Sequence, residues 1–246
     1  MPNVYLSPST QEYNEYVTRF NEEFFMNLIA DAIEPYLIAS GIEFSRNDPN
    51  LTVGNSVRQS NAGDYDLHVA IHSNASAEPL AGQNRGVQVY YYLGSEEGKK
   101  AADIFTENFK SIYPLPEFVQ AIPTVSLYEL ANTKAPSVLM EVGFHDNIQD
   151  AQWLENNIDS IAEAIAMGVA TYFGIPLNVP DVYRLGTVAT AGFDVNIRAT
   201  PSFSGTVLDV APNGAQLAVL STDGEWYRVN YNDVDGYIYG GYIILT

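Results

Sequence analysis

The stretch Asp66-Leu67-His68-Val69-Ala70-Ile71-His72-Ser73-Asn74-Ala75 decides how this chain is read. Its residues alternate, it is rich in β-formers, and it closes in a histidine followed by two small polar residues. That pattern describes a buried strand delivering a side chain to the rim of a site. A neutral imidazole in that position can bind a metal ion. Histidine occurs only at 68, 72 and 145. His72 is therefore either a ligand or a packed core residue, and the choice separates an enzyme from a non-enzyme. On a strand, His68 and His72 share a face but stand about 13 Å apart. His68 thus reads as a packed or hydrogen-bonded residue.

Outward from this strand, helical and strand patterns alternate. Val4-Tyr5-Leu6 is a short strand. A helix over 21–40 carries Phe24, Phe25, Leu28, Ile29, Ala32, Ile33 and Leu37 at helical spacing and stops at Gly41. Further strands are expected at 42–46, 87–93 and 137–142, and further helices at 51–61, 98–112 and 150–172. This order predicts an α/β fold, a three-layer domain with a mostly parallel central sheet. Periodicity stops around Pro176 and Pro180, so 176–183 reads as a linker after a domain at 1–175. Beyond it, 184–246 holds short alternating runs spaced by turn residues, as in a small all-β barrel.

Composition narrows the function. The net charge of −19 is spread over both parts and argues against a nucleic-acid partner. No apolar run reaches the roughly 18–20 residues of a membrane span, so membrane insertion is not expected. The first residues lack the charged and apolar segments of a secretory signal. With no cysteine, disulfides and thiolate ligands are excluded, and a metal would sit on His, Asp, Glu or neutral oxygen.

Three positions lie where strands end or helices begin, the usual place for ligands in an α/β sheet. Glu23 opens the long helix, His72 ends a strand, and Glu141 lies near the end of another. Glu22 and Glu23 also suit the positive end of a helix without any further role. Glu141 is harder to explain structurally, because a carboxylate within Leu139-Met140-Glu141-Val142 pays a desolvation cost unless paired. His145, four residues on, either lines a cleft or is a loop residue. Asn61 and Asn74 suit loop-holding roles, Arg58 reads as a solvated helix residue, and the tyrosines at 90–92 as packing.

With these positions in place, residues 3–175 resemble the zinc-dependent N-acetylmuramoyl-L-alanine amidases, in a branch whose first strand ends in Ser-Pro-Ser-x-Gln. The resemblance rests on Ser7-Pro8-Ser9-Thr10-Gln11, Asn21-Glu22-Glu23-Phe24-Phe25-Met26-Asn27, Arg58-x-x-Asn61, the stretch 66–75, and Pro136-Ser137-Val138-Leu139-Met140-Glu141-Val142-Gly143-Phe144-His145-Asp146-Asn147. It implies one Zn2+ held by His72 and by Glu23, preferred over Glu22 for its Glu-x-x-x-Asn spacing to Asn27, with Glu141 as the catalytic carboxylate. The family's first histidine ligand has no counterpart. Gln11 is the expected substitute, with Glu12 behind it. Asn74 and His145 are expected to meet substrate.

Residues 184–246 resemble bacterial SH3-like wall-binding domains through Val195-Asn196-Ile197-Arg198-Ala199-x-Pro201, Gly224-Glu225-Trp226-Tyr227-Arg228-Val229 and Gly236-Tyr237-Ile238. There Trp226 is either a contact to substrate or a core residue. The implied protein is an extracellular or wall-associated peptidoglycan hydrolase. The missing histidine motivates a second expectation, an amidase-fold protein of weak or no activity that only binds wall glycopeptide.

Overall fold

The structure, a computed structural model, describes residues 1–180, 184–232 and 234–245. Two compact units are present, Met1–Pro180 and Asp181–Thr246. The expected linker at 176–183 lies partly outside the described residues.

The first unit runs β1 (Asn3–Pro8), α1 (Glu22–Ala39), β2 (Glu43–Arg46), α2 (Val53–Ala62), β3 (Leu67–Asn74), β4 (Val87–Tyr92), α3 (Glu96–Ile112), β5 (Val119–Thr124), α4 (Tyr128–Asn132), β6 (Ser137–Phe144), α5 (Ile148–Asn156) and α6 (Ile158–Phe173). Its six strands form one sheet in the order β2-β1-β3-β6-β4-β5. All neighbours pair in parallel except β4 with β6. The expected three-layer α/β domain with a mostly parallel sheet is thus present.

Alternation along β3 creates both sides of the domain. Leu67, Val69 and Ile71 enter the main core with α1, α3 and α6. Ala70, between His68 and His72, joins Leu139 and Leu130 of α4 in a smaller cluster on the opposite face. Both histidines therefore face the α4 side. Helix α1 begins where expected because Asn21 caps it, its side-chain oxygen accepting from the Phe24 amide at 2.9 Å. Met26, Ile29, Ile33 and Leu37 form its buried stripe.

Several elements differ from expectation. The single helix expected at 150–172 is two helices, broken at Asn157, which serves as the cap of each. Strand β5 and helix α4 are too short, six and five residues, to show a period in sequence.

The end of β6 is shaped by Gly143 and Asp150. Gly143 has φ +81, a conformation that side chains oppose. It lies where the pairing of β3 with β6 slips, from His72↔Glu141 to Asn74↔Phe144. Asp150 is buried and accepts from the Phe144 amide (3.0 Å), the Gly86 amide (2.9 Å), Arg85 Nε (3.0 Å) and the Tyr113 hydroxyl (2.6 Å). This one carboxylate ties the exit of β6 to the approach to β4.

The second unit contains β7 (Arg184–Val188), β8 (Val195–Arg198), β9 (Val207–Ala211), β10 (Gln216–Asp223), β11 (Trp226–Tyr231), β12 (Val234–Tyr239) and β13 (Ile243–Leu245). They form an antiparallel sheet in the order β13-β7-β10-β11-β12-β8-β9. Val188, Val195, Ile197, Leu217, Val219, Val229 and Ile238 fill its core. This is the small all-β unit expected there.

Removing Asp150 leaves Arg85 and two amides without their buried partner. Asp150→Ala should destabilise the first unit by about 3–5 kcal/mol, read as a lower urea midpoint by circular dichroism. A loss below about 1 kcal/mol would show that the hub does not hold the sheet end.

Candidate active site

The site is built at the C-terminal ends of β1, β3 and β6. Parallel pairing sets His72 directly beside Glu141, on strands about 4.8 Å apart. The N-terminus of α1 brings Glu22 to the same place. Glu22 is 1% exposed, and its Oε1 lies 2.9 Å from His72 Nδ1. The same oxygen accepts from the Ser73 amide at 3.3 Å, and Asn14 donates to Oε2.

The neighbouring Glu23 is turned away. It is partly exposed, and its Oε1 accepts from Asn27 Nδ2 at 2.9 Å. The Glu-x-x-x-Asn spacing marks this local pair and not the residue that meets His72. Helical phase is the better signal. Glu22 is in step with Met26, Ile29, Ile33 and Leu37 on the buried stripe, whereas Glu23 is in step with the less buried Asn27 and Glu34.

Gln11 follows β1 and reaches the same edge of the imidazole, its Nε2 being 3.4 Å from His72 Nδ1. Its Oε1 accepts from the Tyr13 hydroxyl at 3.0 Å. Turning the amide over would present its oxygen to His72 and leave a donor for Tyr13. Glu12, the second candidate, is exposed.

The other edge of His72 meets a residue that sequence reading did not single out. Glu129 of α4 is 2% exposed. Its Oε2 is 3.4 Å from His72 Nε2 and its Oε1 is 2.9 Å from His68 Nε2. His68 is buried, with Nδ1 2.9 Å from Ser60 Oγ. His68 is therefore the hydrogen-bonded residue expected.

Glu141 completes the group. Its Oε2 is buried and, among the described residues, has no hydrogen-bond partner. Burial first, and then the Glu22 charge, push its carboxyl up to about 7, with His72 pulling the other way. Burial acts on Glu22 in the same sense, but the hydrogen bond and charge of His72 outweigh it, and its pKa falls. Burial would lower His72, yet hydrogen bonds to Glu129 and Glu22 raise it well above the ordinary imidazole range. Two adjacent carboxyls are thus driven apart in proton affinity, the pattern of an acid–base site.

The remaining expected site residues fall differently. Asn74 Nδ2 donates to Gln88 Oε1 at 2.9 Å, and the Tyr90 hydroxyl donates to the same oxygen at 2.8 Å. Asn74 is thus partly exposed and held near Glu141, the register partner of Gln88. His145 is only 6% exposed, stacked on Tyr16 at 5.4 Å with Nδ1 on Ser73. It therefore packs behind the site and is not a cleft residue. Trp226 is buried beneath Phe203 (centroids 4.8 Å) and Tyr239, and Phe203, 60% exposed, offers the outer aromatic face. A cleft of about 360 Å³ opens onto His72 and Glu129, bordered by Ser9, Gln11, Tyr13 and Ser56.

Among the described residues, no group of three or more His, Asp or Glu is placed to hold a metal ion. Glu22 and His72, with the Gln11 amide turned over, come nearest to such a set. Ligand atoms on one tetrahedral zinc ion stand about 3.3 Å apart, given bonds of about 2.0–2.1 Å. His72 Nδ1 stands 2.9 Å from Glu22 Oε1 and 3.4 Å from Gln11 Nε2, the place the Gln11 oxygen would take with the amide turned over. The unpartnered Glu141 oxygen beside them is what a general base near a cation requires.

Comparison with known proteins identifies the family of the first unit and of the second. A family model described as N-acetylmuramoyl-L-alanine amidase matches residues 10–171, and one described as a bacterial SH3 domain matches residues 194–244. The chain is 30% identical over 135 residues to the uncharacterized protein YqiI of Bacillus subtilis (strain 168), covering 52% of this chain and 62% of that protein. It is 27% identical over 146 residues to the N-acetylmuramoyl-L-alanine amidase CwlM of Bacillus licheniformis, covering 58% and 54%. The chain thus spans less than two thirds of these curated relatives. The crystal structure of an N-acetylmuramoyl-L-alanine amidase from Clostridium difficile 630 has the same fold, with a TM-score of 0.63 at 19% identity over 70% of this chain and 97% of that one.

The raised Glu141 carboxyl has a stability signature. Its folded pKa, about 7, lies above the ordinary value near 4.3, so the protonated form favours folding. That contribution is complete below about pH 4 and is lost as pH rises through 7. In chelator, Glu141→Gln should therefore match the wild type at pH 4 and exceed it by roughly 3–4 kcal/mol at pH 8. Equal urea midpoints at pH 8 would show that Glu141 is not strained by burial.

Proposed function

The chain belongs to the N-acetylmuramoyl-L-alanine amidase family, and we propose that it hydrolyses the amide joining the lactyl group of N-acetylmuramic acid to L-alanine in peptidoglycan. The observation that supports this most is the Glu141 carboxyl, its Oε2 buried and without a hydrogen-bond partner among the described residues, set beside the Glu22–His72 pair. In this reading Glu22 and His72 Nδ1, with Gln11 as a neutral third donor, hold one divalent ion. We assign the role expected of Glu23 to Glu22, because of these two Glu22 reaches the imidazole and Glu23 pairs with Asn27. Zn2+ is the ion that the family implies, and an amide donor in place of imidazole favours weaker binding or a harder ion. When bound, the ion supplies Lewis acidity toward the scissile carbonyl and the attacking water.

The chain's own residues do the rest. Glu141 accepts the proton of the attacking water as the C–O bond forms at the lactyl carbonyl. It then donates that proton to the L-alanine nitrogen as the C–N bond breaks, leaving a free carboxyl and a free amine. The carboxyl near 7 holds and releases a proton at neutral pH. Asn74, which donates to Gln88, would orient the substrate amide. The second unit would keep the enzyme on its insoluble polymer and so raise its local concentration. We place the reaction at the cell wall. Within the described residues, no helix is long and apolar enough to cross a membrane.

A second reading is that the protein binds wall glycopeptide with little or no turnover, favoured by the absence, among the described residues, of a three-residue His/Asp/Glu cluster. Metal content separates the two. Protein purified without chelator should carry close to one equivalent of divalent metal and release peptides from peptidoglycan. Substoichiometric metal, with no gain in activity on adding Zn2+, would favour the binding protein.

Two substitutions test the roles. Glu141→Gln should lower kcat by about 10²–10⁴-fold, the usual contribution of general acid–base catalysis, with metal still bound. Glu22→Gln should lose both metal and activity, whereas Glu23→Gln should retain both. Loss of metal in Glu23→Gln, with retention in Glu22→Gln, would reverse the assignment.

A further inference from the structure

Glu129 is a buried carboxylate whose ion-pair partners, among the described residues, are histidines and not lysine or arginine, and burying such a charge is costly unless it is closely paired. Its partners are two imidazoles and a hydroxyl. The two oxygens are used differently. Oε1 accepts from the Ser7 hydroxyl of β1 and from His68 Nε2 of β3. The Ser60 hydroxyl of α2 occupies the other nitrogen of His68, and Tyr5 stacks on its ring at 5.3 Å. Oε1 is thus pinned by two donors on the neighbouring strands β1 and β3. Oε2 points the other way and, among the described residues, makes its hydrogen bond to His72 Nε2. A carboxylate needed only to satisfy His68 and Ser7 would require Oε1 alone.

We propose that Glu129 is a positioning residue: it holds the proton of His72 on Nε2 and fixes the ring so that the Nδ1 lone pair faces Glu22 and Gln11. This inference rests on the metal-binding reading of His72. An imidazole binds metal through one nitrogen only when the other keeps its proton, and a carboxylate partner both sets that tautomer and makes the ring a stronger donor. His72 needs this support because its site has a single imidazole and an amide as third donor. Ser7, Ser60 and His68 form the frame that holds the carboxylate, which explains a second buried histidine at a distance from the metal ligands.

The test uses the full chain, with Zn2+ as the only probe. Affinity is measured by competition with a chromophoric chelator for wild type, Glu129→Gln and Glu129→Ala, alongside far-UV circular dichroism. Loss of such outer partners typically costs 10–100-fold in metal affinity. The glutamine variant, which keeps an acceptor, should lie near the low end of that range and the alanine variant near the high end, with secondary structure unchanged. A purely structural Glu129 would lower thermal stability but leave Zn2+ affinity within twofold of wild type, and that result overturns the proposal.

Nitrogen NMR of 15N-histidine-labelled wild type loaded with Zn2+ needs no variant and tests the nitrogen assignment on which the proposal depends, even if the substitutions prevent folding. The expected spectrum has His72 protonated at Nε2 and metal-bound at Nδ1, and the reverse assignment overturns the proposal. Failure of the wild type to bind Zn2+ would overturn this inference together with the metal-dependent reading. Normal Zn2+ binding with indifferent Glu129 variants would overturn this inference alone.

Discussion

The parallel register of β3 against β6 is the constraint on which the rest of the site depends. It places His72 and Glu141 side by side at the end of a sheet whose other face builds the apolar core. Glu22 arrives from the start of α1 and Glu129 from α4, so three carboxyls surround one imidazole in the protein interior. Their mutual repulsion and burial are unfavourable for the fold. They are tolerated because His72 answers two of them, while the third, Glu141, keeps its proton to near neutral pH. What is electrostatically awkward for folding is what amide hydrolysis uses.

Much of the fold was legible because the apolar residues repeat with the right period. The run Leu67-His68-Val69-Ala70-Ile71-His72 sends alternate residues to opposite faces of the sheet, as its alternation implied, and the long stripe of α1 packs as its spacing implied. Short elements carried no such signal. Strand β5 and helix α4 are set by their neighbours, and the break between α5 and α6 falls at Asn157 without a glycine or proline to announce it. In the second unit, β11 (Trp226–Tyr231) agrees with its sequence pattern, whereas β9 and β13, at the two edges of the sheet, do not stand out in the sequence.

The site was legible unevenly, for physical reasons. His72 and Glu141 stand on strands, where a polar residue in an apolar run is conspicuous. The choice between Glu22 and Glu23 turned on helical phase, which the Asn21 cap and the stripe from Met26 to Leu37 supply. The local Glu23–Asn27 pair obscured it. Glu129 had no sequence signal, since Tyr-Glu-Leu-Ala-Asn resembles any exposed turn of helix, and only tertiary packing buries it. His145 and Trp226 show the opposite error. Each is a conspicuous residue type in a conspicuous motif, yet both are consumed by packing, on Tyr16 and under Phe203 respectively.

The central claim is that Glu22 and His72, on adjoining elements, form the metal-binding edge beside Glu141. Anomalous diffraction at the zinc edge from crystals of the full chain soaked in Zn2+ tests it most directly. The account predicts a single strong peak within bonding distance of His72 Nδ1 and a Glu22 oxygen, with the Gln11 amide adjacent. A peak at Glu23, or on the Nε2 side of His72, or no peak in this cleft, would contradict it.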